Sequence, residues 1–348
     1  MFTINITDAA SLIKGGRTGK KATMKIVIPG GTGQVGKILV PALLAKGHEV
    51  VVLSRGSQAA PTGAAGKGSA RNLPWDGRTL GEWANEMDGA DAVINLAGRS
   101  VNCRHTEANK RLMMDSRVDS TRVVGEAIRL AASPPKVWLQ MSTAAIYAHR
   151  FDAPHDEATG RFGGDEPDVP RSWDFSVAIG KAWEKAQRDA DTPKTRKVAM
   201  RSAIVLNPGR GGIFNILLTL TRLGLGGTIA DGRQIISWIH GDDFIRAVFF
   251  LLEREDIEGP VNITAPNPLP QKQFMAALRA AWGMPIGLPA TRWMMAAAAF
   301  VIRTESELTL KSRYAMPARL MREGFRFEYP EWPAAVREII GRQRRPPA

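Results

Sequence analysis

The chain has 348 residues, of which 44% are hydrophobic, and it carries a single cysteine and a formal net charge of +13. This is the composition of a folded globular protein, and the length allows one large α/β domain with a smaller lobe. Cys103 has no second cysteine to pair with, so an internal disulfide is excluded, and we expect a cytoplasmic protein. No apolar run approaches the ~18 residues of a membrane span, so no span is predicted.

The excess positive charge is spread along the chain rather than gathered in one block. The densest basic stretches are Lys14–Lys25 and Arg342–Arg345, and no nucleic-acid-binding module accompanies them. We therefore attribute the charge to solubility and to cofactor phosphates, and expect no nucleic-acid partner. The stretch Met1–Thr23 lacks the apolar core of a secretory signal and is interpreted as a basic N-terminal extension.

A glycine turn follows the first predicted strand, Lys25–Ile28, and precedes a predicted helix over Gln34–Lys46. A helix start offers unpaired N–H groups and a positive dipole end, which together bind phosphate. Glycines permit the sharp turn, the close approach of a pyrophosphate and tight helix–strand packing. The simpler alternative is an ordinary strand–helix connection. The residues predicted to bind a dinucleotide here are Gly30, Thr32, Gly33, Gln34, Val35 and Gly36.

The second predicted strand, Glu49–Ser54, ends in Ser54 and Arg55, where an acidic residue would bind a ribose 2′-hydroxyl. An arginine at this place suits a 2′-phosphate, so the sequence favours NADP(H) over NAD(H). The alternative is a surface arginine on a loop. The following stretch, Gln58–Ala70, is rich in glycine, alanine and serine and is predicted to be a surface loop.

A third predicted strand, Asp91–Leu96, should bring its carboxyl end near the adenosine half of the dinucleotide. The residues proposed for this contact are Asn95, Leu96, Ala97 and Gly98. The alternative is a glycine loop with an internally bonded asparagine. A long helix over Thr106–Ala132 follows and carries Ser116 in its middle, and the next strand, Lys136–Met141, leads into Ser142 and Thr143. Ser116 and Ser142 are also predicted to bind the cofactor.

The alternation of strand and helix patterns continues through a helix at Asp174–Asp191 and a strand at Lys197–Leu206. It predicts an α/β fold, namely a Rossmann-type doubly wound parallel sheet with a smaller C-terminal α+β lobe. We assign residues 24–206 to the dinucleotide-binding domain, with core elements extending to about residue 265, and residues 207–348 mainly to the substrate lobe and a C-terminal helical module. Helices are predicted at Leu269–Ala281 and Ala290–Arg303. Candidate substrate-lobe residues are Arg222, Gly227, Trp238 and His240, the last as a proton donor or, alternatively, a hydrogen-bonded histidine at a strand end.

These motifs resemble the extended short-chain dehydrogenase/reductase superfamily, and more closely its atypical epimerase-like branch with a C-terminal helical module. Some members of that branch are labelled cell-division inhibitors. The matching segments are GGTGQVG (Gly30–Gly36), NLAG (Asn95–Gly98), Ser116-Arg117, the block Arg222–Asp243 and the segment Tyr314–Phe327. The resemblance implies a Rossmann domain with a small C-terminal lobe and NADP(H) as the cofactor.

The usual mechanism of that superfamily needs a tyrosine whose pKa is lowered by a lysine four residues later. None of the three tyrosines is followed by lysine at that spacing, and the expected positions hold Ser176 and Gly180. The atypical branch resembles this chain in lacking the pair. By the same resemblance, Thr143 falls where typical extended enzymes keep a catalytic serine or threonine. Tyr147 and Lys181 form a conceivable substitute pair, with purely structural roles as the alternative.

Two main functions are therefore considered. One is an NADP(H)-dependent epimerase or oxidoreductase that acts on a small polar or sugar-like substrate without the Tyr-x-x-x-Lys pair. The other is a non-catalytic NADP(H)-binding redox sensor or partner-binding regulator. A third possibility, an interaction protein of the division machinery, is supported only by family labels and net charge. A homodimer is compatible with the resemblance, and no metal-ligand cluster is present in the sequence.

Overall fold

The computed structural model describes residues 23–56, 68–101, 103–167, 169–209, 212–290 and 307–344. Nearly all of the predicted extension Met1–Thr23, most of the predicted loop Gln58–Ala70 and the predicted helix Ala290–Arg303 lie outside these residues. Within the described residues, no helix is both long enough and apolar enough to cross a bilayer.

The strands in chain order are β1 (Lys25–Pro29), β2 (Glu49–Ser54), β3 (Ser69–Pro74), β4 (Ala92–Asn95), β5 (Val137–Thr143), β6 (Arg196–Ser202), β7 (Ile204–Leu206), β8 (Ile235–Ile236), β9 (Trp238–His240), β10 (Gly259–Ile263) and β11 (Leu269–Pro270). The α-helices of the described residues are α1 (Gly36–Ala45), α2 (Glu107–Leu130), α3 (Asp174–Arg188), α4 (Ile213–Arg222), α5 (Gly241–Glu253), α6 (Gln271–Trp282), α7 (Glu307–Leu310), α8 (Ala318–Arg322) and α9 (Trp332–Arg344). Short 3-10 helices cover Glu82–Met87, Ala144–Ile146 and Arg171–Trp173.

Seven strands form one parallel sheet in the order β10-β6-β5-β4-β1-β2-β3. The chain builds outward from β1 to β2 and β3, then crosses back to β4 on the other side of β1. In open α/β sheets, ligands bind outside the carboxyl ends of the strands at such a reversal. The predicted Rossmann-type doubly wound sheet is therefore confirmed, and β1 with β4 marks the expected crevice.

Apolar residues cover both faces of this sheet. Along β1, Ile26 and Ile28 pack into a core shared with α1 and α5, while Val27 points to the other face and packs with Val123 and Val124 of α2. Successive residues of a strand point to opposite faces, so a strand buried on both sides reads as a continuous apolar run. This is why the central strands were recognisable from the sequence.

The outer strand β3 was missed, since the sequence predicted a loop through Ala70. Its residues SARNLP are mostly exposed and include no apolar run. The strand nevertheless pairs with β2 over six positions, from Glu49 opposite Ser69 to Ser54 opposite Pro74. An edge strand with one paired side needs no buried face, and its polar residues and terminal proline are typical of such edges.

The C-terminal region is divided between the main sheet and a smaller module. β10 pairs with β6 and supplies the seventh strand, inside the extension to about residue 265 that the sequence allowed. The smaller module has its own core, in which Trp332 of α9 stacks on Phe274 of α6 at 4.1 Å and meets Trp238 of β9 edge-on at 5.1 Å. Two short strand pairs, β7 with β9 and β8 with β11, form two-stranded sheets separate from the main sheet.

Candidate functional site

The glycine turn after β1 is shaped by contacts that only glycine permits. Gly30 has a φ of +76°, and a Cβ atom there would lie 2.8 Å from the backbone of Ala97. A Cβ atom on Gly36 would lie 2.0 Å from the carbonyl oxygen of Gly31, so α1 can approach the turn only without a side chain. The N–H of Gly30 also donates to the carbonyl oxygen of Leu53 at 2.8 Å, which fixes the turn against β2.

The middle of the turn is open. Gly33 and Gln34 are exposed, and Thr32 and Val35 are half-buried. The nearest atom to a Cβ on Gly33 would be the carbonyl oxygen of Gly30 at 3.2 Å. Helix α1 begins with no side-chain cap and no acidic residue in its first turn. Its N–H groups and dipole therefore face a cradle of bare backbone, which fits a pyrophosphate group.

The end of β2 combines a buried serine with an exposed arginine. The hydroxyl of Ser54 lies 2.9 Å from the carbonyl oxygen of Gly56 and 3.0 Å from Oδ1 of Asn72, so it fixes the loop locally. The Arg55 side chain is exposed beside it. An exposed cation thus follows β2, where a Rossmann-type sheet would recognise a 2′-phosphate.

The loop after β4 is held from inside. Asn95 is fully buried; its Nδ2 donates to Oε1 of Gln140 at 3.0 Å, and its Oδ1 accepts the N–H of Ala97 at 3.0 Å. The N–H of Leu96 donates to the carbonyl oxygen of Pro29 at 2.9 Å. The Asn95 side chain is thus used to shape the loop, as the alternative interpretation had it, and the exposed Gly98 is left at the surface of the crevice.

Ser116 joins this loop to helix α2. Its hydroxyl accepts the N–H of Arg99 at 2.9 Å and donates to the carbonyl oxygen of Met113 at 3.1 Å. The two bonds occupy the hydroxyl proton and one lone pair. Any contact of Ser116 with a cofactor would therefore use its remaining lone pair.

A buried ion pair occupies the end of β5. Arg201 donates from Nε and Nη2 to the two carboxylate oxygens of Glu184 at 2.8 and 2.7 Å, a bidentate geometry. Ser142 donates its hydroxyl to the same carboxylate at 2.7 Å. Ser142 is 3% exposed, so its hydroxyl is bound within the protein rather than presented to the crevice.

Tyr147 is part of the same network. Its hydroxyl accepts from Nη1 of Arg201 at 2.9 Å and donates to Oδ1 of Asn262 at 2.8 Å, and its ring stacks on His155 at 5.0 Å. Burial raises the pKa of Tyr147 despite the opposing charge of Arg201. The candidate partner Lys181 donates instead to the carbonyl oxygen of Gly163 at 3.0 Å. The structure therefore gives the two members of the hypothetical pair separate partners.

The positions expected for the tyrosine and lysine lie beside Thr143. Thr143 accepts the N–H of Ala145 at 3.1 Å and so caps the 3-10 helix after β5. A Cβ atom on Gly180 would lie 3.3 Å from Cγ2 of Thr143 and 3.0 Å from Ile146, which leaves little room for a lysine stem. Ser176, one helical turn earlier, is half-buried on the same side of α3.

A lysine from the C-terminal region contacts Ser176. The Nζ of Lys311 donates to Oγ of Ser176 at 3.3 Å and to the carbonyl oxygen of Ala145 at 3.2 Å, and it lies 3.6 Å from Oε1 of Glu307. Ser176 also donates to Glu307. Lys311 is 2% exposed, and this burial lowers its pKa. A hydroxyl and an ammonium thus meet at the expected tyrosine position, although the two groups come from distant parts of the chain.

Lys311 is held in place by the backbone that follows it. The N–H of Ser312 donates to Nδ1 of His149 at 2.8 Å, and its hydroxyl donates to the carbonyl oxygen of Arg150 at 2.7 Å. The N–H of Arg313 donates to the carbonyl oxygen of Ile235 at 2.8 Å. The segment is therefore anchored both to the loop after β5 and to β8, which fixes the approach of the ammonium group. Nothing in the sequence pattern around Lys311 or Glu307 indicated this contact.

The candidate residues of the substrate lobe have mostly internal partners. His240 is 1% exposed; its Nε2 donates to Glu338 at 2.9 Å and its Nδ1 accepts the N–H of Asp242 at 3.1 Å. Trp238 is fully buried in the core of the small module. Gly227 is in close contact with the backbone, since a Cβ atom there would lie 2.3 Å from a carbonyl oxygen. Of the four, Arg222 is exposed, with its guanidinium 4.2 Å from the ring of Trp282.

The sequence of the chain matches known protein families and relatives. Residues 26–170 match the NAD dependent epimerase/dehydratase family, and residues 291–339 match a domain of unknown function, DUF1731. The chain is 31% identical to the human epimerase family protein SDR39U1 over 320 residues, which cover 91% of this chain and 100% of that protein. It is 30% identical to the epimerase family protein YfhF of Bacillus subtilis, over 91% of this chain and 98% of that protein.

Solved structures give the same result. The crystal structure of human SDR39U1 with NADPH superposes with a TM-score of 0.78 at 31% identity, covering 91% of this chain and 99% of that one. A nucleoside-diphosphate sugar epimerase from Corynebacterium glutamicum superposes with a TM-score of 0.70 at 25% identity, covering 92% of this chain and 59% of that one. With relatives this similar along 91% of its length, the chain belongs to the epimerase family of extended short-chain dehydrogenase/reductase proteins that end in a DUF1731 domain.

Proposed function

We propose that this protein is an NADPH-dependent oxidoreductase or epimerase that acts on a carbonyl or hydroxyl group of a small polar or sugar-like substrate. The observation that carries the proposal is the open glycine cradle before α1, together with the exposed Arg55 at the end of β2. The cradle fits a pyrophosphate and the arginine fits a 2′-phosphate. The NADPH in the human relative and the sugar-nucleotide activity named for the bacterial one support the same cofactor and substrate class.

The bound cofactor would supply or accept a hydride, which leaves the protein to handle one proton. We assign this task to Ser176, the half-buried hydroxyl at the expected tyrosine position. Its single proton is donated to Glu307 in the structure, so that bond must break before the proton can pass to a substrate, and Lys311, which donates to the serine oxygen, can then replace the proton. Lowering the pKa of Lys311 by burial favours such a transfer, because the ammonium becomes a better acid.

A non-catalytic NADPH sensor is the second candidate. One observation favours it: the hydroxyl of Tyr147 is enclosed among Arg201, Asn262 and the carbonyl oxygen of Asp156, and Ser142 is bonded to Glu184. Two hydroxyls that could have served catalysis are thus used for structure. The sensor and the enzyme share the cofactor site and differ only in turnover.

Both candidate functions assume that the protein binds NADPH in preference to NADH, and binding measurements test this assumption. Fluorescence titrations with NADPH and NADH should show that Arg55→Ala weakens NADPH by about 10- to 100-fold, since a charged hydrogen bond contributes about 1.5–3 kcal/mol. NADH affinity should change little. Lys46→Ala, an exposed cation after the far end of α1, is the matched control and should alter neither. Equal losses for both cofactors would contradict the role of Arg55, and the absence of saturable NADPH binding would reject both candidates.

Turnover separates the enzyme from the sensor. NADPH oxidation would be followed with a panel of aldehydes, ketones and sugar nucleotides, using the full chain. Consumption that falls at least about 100-fold in Ser176→Ala, with NADPH affinity unchanged, supports the enzyme and the assigned proton donor. An epimerase regenerates its cofactor, so the sugar nucleotides would also be incubated with NADP⁺ and analysed for epimers by chromatography. Saturable binding with neither NADPH consumption nor epimer formation across the panel supports the sensor.

A further inference from the structure

Arg117 is a buried cation with no carboxylate partner in the part of the chain that the structure describes. It lies in the middle of α2 and is 8% exposed. Its Nη1 donates to the carbonyl oxygen of Met113 at 2.9 Å, and its guanidinium lies 4.9 Å from the ring of Trp183. Among the described residues, its Nε has no acceptor and no acidic side chain forms an ion pair with it. Burial lowers the pKa of Arg117 to about 10, so the group stays charged at neutral pH.

Such an arrangement is unusual for a purely structural arginine. Guanidinium groups in protein interiors are normally paired with a carboxylate, because an unpaired buried charge loses several kcal/mol of hydration. One carbonyl oxygen and one aromatic face offset only part of that loss. The packing on Trp183 holds the side chain in one place, and the buried Nε still lacks an acceptor among the described residues.

The guanidinium packs against the loop that follows β4. A Cβ atom on the exposed Gly98 would lie 3.3 Å from Cζ and 3.4 Å from Nε of Arg117. On its other side, the loop after β4 meets the glycine turn, since a Cβ on Gly30 would lie 2.8 Å from Ala97. The loop is therefore sandwiched between the phosphate cradle and Arg117, and the residue above the guanidinium has no side chain to shield it.

The sheet order places Arg117 on one particular side of the cradle. β2, which ends in Arg55, and β4, which ends next to Gly98, flank β1 on opposite sides. A dinucleotide with its 2′-phosphate at Arg55 and its pyrophosphate over α1 must extend its other half towards the ends of β4 and β5. That half is the nicotinamide ribosyl phosphate, whose phosphate and ribose oxygens are acceptors for a guanidinium.

From these observations we infer that Arg117 is a cofactor-binding residue that holds the nicotinamide ribosyl-phosphate half of the dinucleotide. The inference rests on the proposed function, because it assumes that NADPH occupies the crevice. It also gives a reason for the glycine at position 180. With Gly180 packed on Ile146, α3 offers no lysine at the position expected from the superfamily, and Arg117 supplies a cation from the neighbouring helix instead.

The test compares two probes of the site in the full-length protein. NADPH contains both halves of the cofactor, whereas adenosine 2′,5′-bisphosphate contains only the adenosine half with its two phosphates. Calorimetric titrations would use wild type, Arg117→Met, which keeps an unbranched stem against Trp183, and Arg117→Lys, which keeps the charge but loses the planar fork. Arg55→Ala serves as the opposite control, because it should weaken both probes.

We expect Arg117→Met to weaken NADPH by about 10-fold or more and the bisphosphate by less than about 2-fold, with Arg117→Lys intermediate for NADPH. The melting temperature of each variant, measured without ligand, shows whether it is folded; should Arg117→Met not fold, Arg117→Lys and Arg117→Gln replace it. Unchanged NADPH affinity in a folded variant would overturn the inference, as would equal losses for both probes. Failure of the wild type itself to bind NADPH would instead reject the proposed function, and the inference with it.

Discussion

The buried pair of Lys311 and Glu307 is expected to hold the C-terminal module against the carboxyl edge of the sheet. The side chains are 2% and 3% exposed, and their charged atoms are 3.6 Å apart. Lys311→Met removes the ammonium group. The Glu307 carboxylate then stays buried, and Ser176 is its remaining partner on the side where Lys311 was. Arg313 remains as a second cation near Glu307, since its Nη2 donates to the Glu307 carbonyl oxygen at 3.4 Å.

The size of the effect follows from this geometry. At an effective dielectric constant of about 20, two unit charges at this distance attract with roughly 4–5 kcal/mol before the cost of dehydration. Removing one partner of a buried pair typically costs about 3–5 kcal/mol, because the other charge is left uncompensated. Since Arg313 compensates part of the carboxylate charge, we expect Lys311→Met to lower the free energy of unfolding by about 3 kcal/mol.

Urea unfolding followed by tryptophan fluorescence would measure four proteins: wild type, Lys311→Met, Glu307→Gln and the double variant. The double variant should lose at least about 1 kcal/mol less than the sum of the single losses, because neither member of the pair then remains buried without the other. Lys185→Met is the matched control, since its pair with Asp189 is exposed on α3 and should contribute less than about 1 kcal/mol. Additive losses, or a Lys311 effect as small as that of the control, would refute this account of the cluster.

Two further outcomes are expected. Tyr147→Phe should lower the free energy of unfolding by about 1–3 kcal/mol, because Arg201 and Asn262 lose a buried partner. Its NADPH affinity in fluorescence titrations should stay the same. A variant as stable as wild type would contradict the structural role of Tyr147. His155 donates from Nε2 to Ala148 and accepts at Nδ1, and burial lowers its pKa. As the pH falls, the unfolded chain therefore protonates His155 at a higher pH than the folded protein does. The contribution of neutral His155 to the free energy of unfolding is thus present above about pH 6.5 and is lost as the pH falls through the lower pKa of the folded state. Urea titrations from pH 7.5 to about 5 should show that loss in wild type and a smaller slope in His155→Gln; identical slopes would exclude His155 as the source.

The sequence by itself determined the sheet and the glycine turn before α1, because both depend on local patterns. Runs such as KIVI and EVVVL can be buried on two faces only in a parallel sheet covered by helices. The spacing of Gly30, Gly33 and Gly36 places bare backbone at a helix start, whatever the rest of the chain does. The edge strand β3 escaped this reasoning because hydrogen bonding to β2, rather than burial of an apolar face, holds it in the sheet.

Only the tertiary structure decided which side chains meet at the end of β5. Ser176 and Lys311 are separated by 135 positions, and their contact depends on how the segment after α7 is bound between the loop after β5 and β8. The same holds for Tyr147, whose hydroxyl finds its acceptor on Asn262, 115 positions away. A periodic pattern records which face of an element is buried, but it carries no information about which distant polar groups will share that interior, because a hydrogen bond constrains two atoms in space and leaves the intervening sequence free.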